Sequence, residues 1–235
     1  MIFSLKRVNA IFIKDWKDLQ RNSYILFTLA IPLVFAAMLG RMNAATDVLS
    51  TYPINLALII AGAFIQAAMV AEEKEKNTLR GLLLSPASTL EILIGKSALS
   101  GLMTILVITG SIIFSGYTVP SLPLFSLSTL LGLVFYLATG TILGLLSRTV
   151  METSIIGMPV LIIFGMSSMF KPMVENATLI NIIELLPNEQ LNQIWFGLSD
   201  GKGAAEILMN LFILFLWVAV SFILTIVIYK KRRFD

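Results

Sequence analysis

Apolar runs of about twenty residues alternate along the chain with short charged stretches. A hydrocarbon core of roughly 30 Å needs about 20 apolar residues in helical form. Six runs meet that length, near Tyr24–Gly40, Pro53–Ala71, Glu91–Ser115, Leu124–Leu146, Ser154–Phe170 and Ala204–Tyr229. Lipid cannot satisfy exposed backbone groups, and the runs are too long for barrel strands, so each span is predicted to be helical. The pattern predicts an all-α membrane protein with about six transmembrane helices. No linker divides it, so residues 1–235 are expected to form one transmembrane domain.

A different periodicity precedes the first run. Leu5, Val8, Phe12, Trp16 and Leu19 recur at helical spacing, with Lys6, Lys14, Lys17 and Arg21 opposite. This predicts an amphipathic interfacial helix within residues 1–23, with Phe12 and Trp16 toward the acyl chains and Lys17 toward water. A loose basic tail is the alternative reading. The basic residues also orient the spans. Fourteen of the 17 Lys and Arg fall in the N-terminal arm, the second-to-third and fourth-to-fifth connections and the C-terminal tail. Only Arg41, Lys171 and Lys202 fall on the other side. By the positive-inside rule both termini are expected in the cytoplasm.

The connection between the second and third spans, residues 72–90, is the most informative stretch. Glu72 and Lys76 stand in the favoured i, i+4 order, which predicts that the second helix continues beyond the bilayer. Leu79, Leu82, Leu83 and Leu84 form an apolar tip between charged flanks, and Pro86 ends the helix. Ser88-Thr89-Leu90-Glu91 reads as a capping box that starts the third span. An apolar tip rimmed by charge is the pattern of a docking surface, with a leucine patch resting on lipid as the alternative. Across the membrane, Pro172, Pro187 and Ser199-Asp200-Gly201 divide residues 171–203 into short pieces around the apolar run Leu179–Leu186 and the pair Trp195-Phe196. Two short helices of re-entrant type, dipping into the outer leaflet, are expected there.

Composition removes several functions. The residues are 57% hydrophobic and 13% charged, against about 25% charged in soluble domains. The excess of basic residues lies beside apolar runs, so it points to membrane rather than nucleic acid. With neither Cys nor His, thiolate and imidazole chemistry are excluded. Every Asp lies outside the spans, which argues against intramembrane proteolysis. Glu91, Lys96, Glu152 and Glu206 sit near span ends, leaving few ionisable groups for ion coupling. Gly95-Lys96-Ser97 lacks the first glycine of a phosphate-binding loop, since Leu90 stands there. No catalytic residue, metal site or cofactor site is expected. If the protein moves something, the energy enters through a partner.

The stretch EEKEKNTLRGLLLSPAS, residues 72–88, resembles the signature of ABC transporter type-2 permeases of the exporter class. The match rests on Glu72, Glu73, Lys74, Glu75, Thr78, Leu79, Leu82, Leu83, Ser85 and Pro86, with Arg80 in the charged rim. Asn77 stands where glycine is commoner. The amphipathic arm, six spans and long last outer loop fit the same layout. The resemblance implies a permease half that pairs with a second half, identical or paralogous, on two copies of a separate ATPase subunit that binds ATP. Residues 72–88 would hold the coupling helix, the arm would contact the same ATPase, and the outer loop would help close the pathway. Family substrates are commonly drugs, peptides, lipids or glycan precursors leaving the bacterial plasma membrane. An amphipathic drug, antimicrobial peptide or lipid-like substrate is the leading expectation. Export of haem, sodium or a glycan precursor, or a non-transporting immunity or scaffold role, remain alternatives. Gly140, Gly144 and Gly157 are candidate packing or gate positions.

Overall fold

The structure, a computed structural model, describes residues 3–41, 47–76, 78, 85 and 87–232. Among these residues it contains helices and no strand. Six helical stretches are long and apolar enough to cross a membrane: Ser23–Arg41, Thr51–Glu75, Leu90–Ser115, Leu122–Leu146, Val150–Met173 and Ala204–Lys231. The chain is therefore an all-α membrane protein, as the apolar pattern predicts. Every span extends past its predicted bounds, at one end or both, by one to four residues, the third by Leu90 alone.

An N-terminal helix, α1 (Leu5–Arg21), turns at Asn22 into the first span, α2 (Ser23–Arg41). The second span runs without a break from α3 (Asp47–Ala57) through a π-helical stretch (Leu58–Phe64) into α4 (Ile65–Glu75). The third and fourth spans are α5 (Thr89–Ser115) and α6 (Leu122–Leu146). The fifth, α7 (Val150–Phe170), ends in a 3₁₀ turn over Lys171–Met173. Two short helices follow, α8 (Ala177–Glu184) and α9 (Pro187–Ser199), and α10 (Ala204–Arg232) is the last span.

The second span is the axis of the bundle. Its most apolar window is 83% buried inside the chain, against 17% for α10, so it touches other helices rather than lipid. It packs on α5, α6 and α7, with α2 alongside and α10 on the far side of α6. Small residues bring backbones together where no hydrophobic drive separates protein from lipid. A Cβ at Gly140 would lie 2.3 Å from the carbonyl oxygen of Ala63, and one at Gly144 would lie 2.6 Å from that of Ala67. Those two glycines are thus close-approach positions between α6 and the second span. Gly157 is different, since a Cβ there would meet only Leu143 at 3.6 Å. Aromatic rings fill the next layer: Phe135, Phe164 and Trp217 join α6, α7 and α10, and the Tyr136 hydroxyl donates to the Phe164 carbonyl at 2.5 Å.

The capping box at the start of the third span is present. The Ser88 hydroxyl accepts from the Glu91 N–H, and the Glu91 carboxylate accepts from the Ser88 N–H. Both outer-loop helices are present as well, but they differ in burial. No residue of α8 is buried, whereas α9 buries ten residues, Trp195 completely. Asn176 caps α8 by accepting from the N–H groups of Thr178 and Leu179.

The N-terminal arm is a helix, as its periodicity predicts, and it packs partly on the bundle. It buries Ile11, Asp15 and Leu19, of which only Leu19 belongs to the predicted stripe. Leu5 is 75% exposed and Trp16 is also exposed, while Phe12 is half-buried against the core. The reason is tertiary: α1 lies against α5 and α2, and a helix between protein and lipid presents apolar residues to both.

A Gly140→Ala variant must displace the Ala63 backbone and is expected to lose about 1–3 kcal/mol. Gly157→Ala is expected to unfold within about 0.5 kcal/mol of the unaltered protein. Thermal or denaturant unfolding in detergent distinguishes the two.

Candidate functional site

The predicted elbow grows from the end of α4, where Glu75 and Lys76 are exposed and one charged residue is not. Glu73 turns inward and is 6% exposed. Its carboxylate takes the Lys96 ammonium from α5 at 2.5 Å and a hydrogen bond from Lys14 of α1. Asp15 of α1, 2% exposed, sits 3.3 Å from Lys14 Nζ and 3.8 Å from Lys96 Nζ. Asp18, one turn further along α1, lies 3.7 Å from Lys14. Two carboxylates and two ammonium groups therefore meet where α1, α4 and α5 converge. A lone ammonium at this depth would be costly to desolvate, and the paired carboxylates offset that cost.

A second ion pair lies beside the first. Arg7 of α1 donates from Nε and Nη2 to the two oxygens of Glu91, at 3.0 and 2.6 Å. The same carboxylate accepts from the Ser4 N–H at 2.5 Å. Glu91 thus caps α5 and holds the start of α1 with one side chain. Such a fork-to-fork pair fixes orientation as well as position.

Other elbow residues tie the same root to two further spans. Lys74 donates to the carbonyl of Leu145 at the end of α6, at 2.7 Å. Glu75 accepts from the Val150 N–H at the start of α7, at 3.1 Å. Thr78 donates to the Glu73 carbonyl at 3.3 Å, and Ser85 accepts from the Ala87 N–H at 3.3 Å. Glu72 pairs with Lys76 at 2.5 Å across one helical turn, facing outward. Leu79, Arg80, Leu82, Leu83 and Pro86 lie outside the described residues. On the arm, Trp16 and Lys17 are exposed, and Phe12 packs on the core.

Electrostatics at the junction follow from burial and proximity. Burial alone would lower the Lys14 ammonium, but the hydrogen bond and charge of Glu73, with Asp15, outweigh it and hold it above the usual lysine range. Burial pushes the Asp15 carboxyl up, against the pull of Lys96 and Lys14. Among the described residues no group of three or more acidic side chains could hold a metal ion.

Neither Asp15 nor Lys96 belongs to the predicted elbow. Two signals in the sequence point to them. Asp15 shares a helical face with Ile11 and Leu19, and Lys96 stands in the second turn of an apolar helix, where an ammonium needs a counter-charge. The Gly95-Lys96-Ser97 triplet is used for packing and pairing: a Cβ at Gly95 would touch Ile11 at 2.9 Å, and Ser97 accepts from Gln66 at 3.3 Å.

The opposite end of the bundle carries a second polar cluster, built by α9. Asn192 accepts from Asn55 at 2.7 Å and donates to Ser168 at 3.0 Å. Glu189 accepts from Ser168 at 2.6 Å and pairs with Lys171 at 2.8 Å. Trp195 donates to Ser128 at 3.1 Å. The short helix is therefore pinned to α3, α6 and α7, and its polar atoms are protected by protein, as irregular structure in a membrane requires.

The family model described as ABC-2 family transporter protein matches residues 41–227. That stretch includes the second to fifth spans, the whole elbow and α9, while α1 precedes it. None of the curated proteins compared with the chain matches it.

Lys96→Met would leave Glu73 and Asp15 buried without their shared cation and is expected to cost about 3–5 kcal/mol. Lys76→Ala removes an exposed pair and should cost no more than about 1 kcal/mol. Denaturant unfolding of the purified variants measures both.

Proposed function

The chain belongs to the ABC-2 transporter family, and on that premise we propose that it is the permease subunit of an exporter for an amphipathic substrate. It is the membrane component of an ABC transporter, and a separate partner ATPase binds the nucleotide. In the proposed reading the cargo is a drug, an antimicrobial peptide or a lipid-like molecule. Two ATPase subunits sit beneath two permease halves in a bacterial plasma membrane, with both termini on the ATPase side.

The observation that carries this reading is the fastening of the elbow root. Glu73 holds α1 and α5, Lys74 holds the end of α6, and Glu75 holds the start of α7. A push on the elbow at residues 79–84 would reach four other helices through those ties. That is what a permease needs if ATP is hydrolysed in another polypeptide. The leucine tip would supply the buried apolar area of the docking surface, and Glu72 with Lys76 would lie at its rim.

The substrate class is read from the spans. Their buried charges among the described residues cluster at the elbow end and at the α9 end. Between those ends the polar side chains are hydroxyls and amides: Thr104 donates to the Ser100 carbonyl, and Gln66 bonds Ser97 and Thr141. Nothing in that layer resembles a site for a coupling proton, and an apolar, hydroxyl-dotted path suits an amphipathic cargo. In this reading α9 forms the outer closure, and its release from Asn55 and Ser168 opens the way out.

Leu82→Asp or Leu83→Asp is expected to abolish substrate-stimulated ATPase activity of the assembled complex while the chain still inserts and folds. Normal co-purification with the ATPase, together with normal stimulation, would sink the assignment of the elbow.

A further inference from the structure

A groove of about 390 Å³ runs between α5, α6 and α10. Leu90, Ile94 and Phe222 stand at its rim and are exposed, so it opens toward lipid. Ala98 and Ala138, both small, leave the space between the helices. The groove begins at Leu90, at the start of α5, and reaches Ser97, which at 1.5 Å per residue is a rise of roughly 10 Å. That depth stays within one leaflet, on the elbow side, of a hydrocarbon core roughly 30 Å thick. At roughly 30 Å³ per water the space equals about thirteen waters, enough for one extended chain, whereas a helix about 10 Å across does not fit. Among the described residues no charged side chain lines it.

Three hydroxyls, of Ser97, Thr141 and Thr225, interrupt the apolar wall, and two of them have committed their protons. Thr225 donates to the Ser221 carbonyl at 2.8 Å, and Thr141 donates to the Leu137 carbonyl at 2.8 Å. The Thr141 oxygen can therefore only accept, and it takes Nε2 of Gln66, from the second span, at 3.0 Å. The same Nε2 donates to Ser97 at 3.3 Å. These contacts fix which way the Gln66 amide is turned, and its Oε1 points away from Thr141. Gln66 is 1% exposed, and that Oε1 receives no donor. Ser97 accepts from Gln66, and among the described residues its own proton has no acceptor. One acceptor and one donor are thus unmet side by side at the deep end of the groove, where an unpaired polar group is costly.

We propose that this groove binds one extended apolar chain of the cargo that carries a hydroxyl or secondary amide within its apolar part, the polar group accepting from Ser97 and donating to Oε1 of Gln66. The inference rests on the proposed reading of the chain as an exporter of an amphipathic substrate, and narrows that substrate to an acyl or similar chain with an internal polar group. A hydroxyl or amide both donates and accepts, which is what the unmet pair requires. A plain lipid chain fills the same volume and meets neither position. A charged group would find no counter-charge in the groove.

The test uses the full chain in phosphatidylcholine nanodiscs and two radiolabelled probes, stearate and a stearate with a mid-chain hydroxyl. The hydroxylated probe is expected to bind about tenfold more tightly, the gain from two hydrogen bonds in an apolar site. Ser97→Ala and Gln66→Leu, each checked for folding by thermal unfolding, should reduce that preference to about twofold or less and leave stearate binding unchanged. Ala98→Phe fills the groove and should weaken both probes together. Equal binding of the two probes to the unaltered chain would overturn the proposal, as the mark of bulk lipid in the groove. So would a preference that survives both Ser97→Ala and Ala98→Phe, which would place the hydroxyl elsewhere. With the ATPase subunit added, the hydroxylated probe should raise ATP hydrolysis more than stearate does, and Ser97→Ala should erase the difference. A binding preference without that stimulation would overturn the assignment of the groove to cargo. Leu82→Asp keeps the proposal separate from the reading beneath it: normal coupling in that variant, with the probe preference intact, takes down the elbow assignment alone.

Discussion

A single ammonium group, that of Lys96, sets the arrangement of the elbow end. It is 4% exposed and sits in an apolar helix, so the chain must bring it a negative charge or leave it uncompensated. Glu73 arrives from α4 and Asp15 from α1, and Lys14 then balances the carboxylate excess. Three elements with no sequence proximity are thereby committed to one place. Buried ion pairs are weak evidence for stability, because hydrophobic replacements often do as well. Their value here lies in geometry. An apolar contact tolerates sliding, whereas a buried pair holds two helices at one register.

That constraint explains why the elbow root is more than a loop anchor. Glu73, Lys74 and Glu75 are consecutive on one helix, so their side chains radiate in three directions and reach α1 with α5, the end of α6 and the start of α7. The second span that carries them is also the most buried, pressed against α6 at Gly140 and Gly144. In the proposed reading, motion of the elbow would pass to neighbouring helices rather than into lipid around such a span. At the other end α9 is held by amides and hydroxyls, with one paired carboxylate, a set of contacts individually weaker than the elbow junction.

The spans were legible in the sequence because a bilayer demands length and apolarity, and both are local properties. The capping box at Ser88–Glu91 was legible for the same reason, since its partners lie three residues apart. The face of α1 that meets protein was not. Its apolar stripe includes Leu5 and Trp16, which are exposed, and omits Asp15, which is buried, because neighbouring helices rather than water decide what an arm buries. Glu73 illustrates the limit at the candidate site. Its place in a charged run reads as a rim residue, and only the convergence of α1 and α5 turns it into a buried partner. The contrast between α8 and α9 is of the same kind: both are short amphipathic helices, and tertiary packing alone makes one a surface element and the other a wedge.

In the proposed reading the Lys96–Glu73 junction carries motion from the elbow to the spans. The most direct measurement is substrate moved per ATP hydrolysed by the reconstituted transporter carrying Lys96→Met together with Glu73→Gln. Removing both partners avoids a stranded charge, so the variant should fold and assemble with its ATPase. ATP hydrolysis is expected to persist while transport per ATP falls at least tenfold. Transport and stimulation equal to those of the unaltered complex would contradict it.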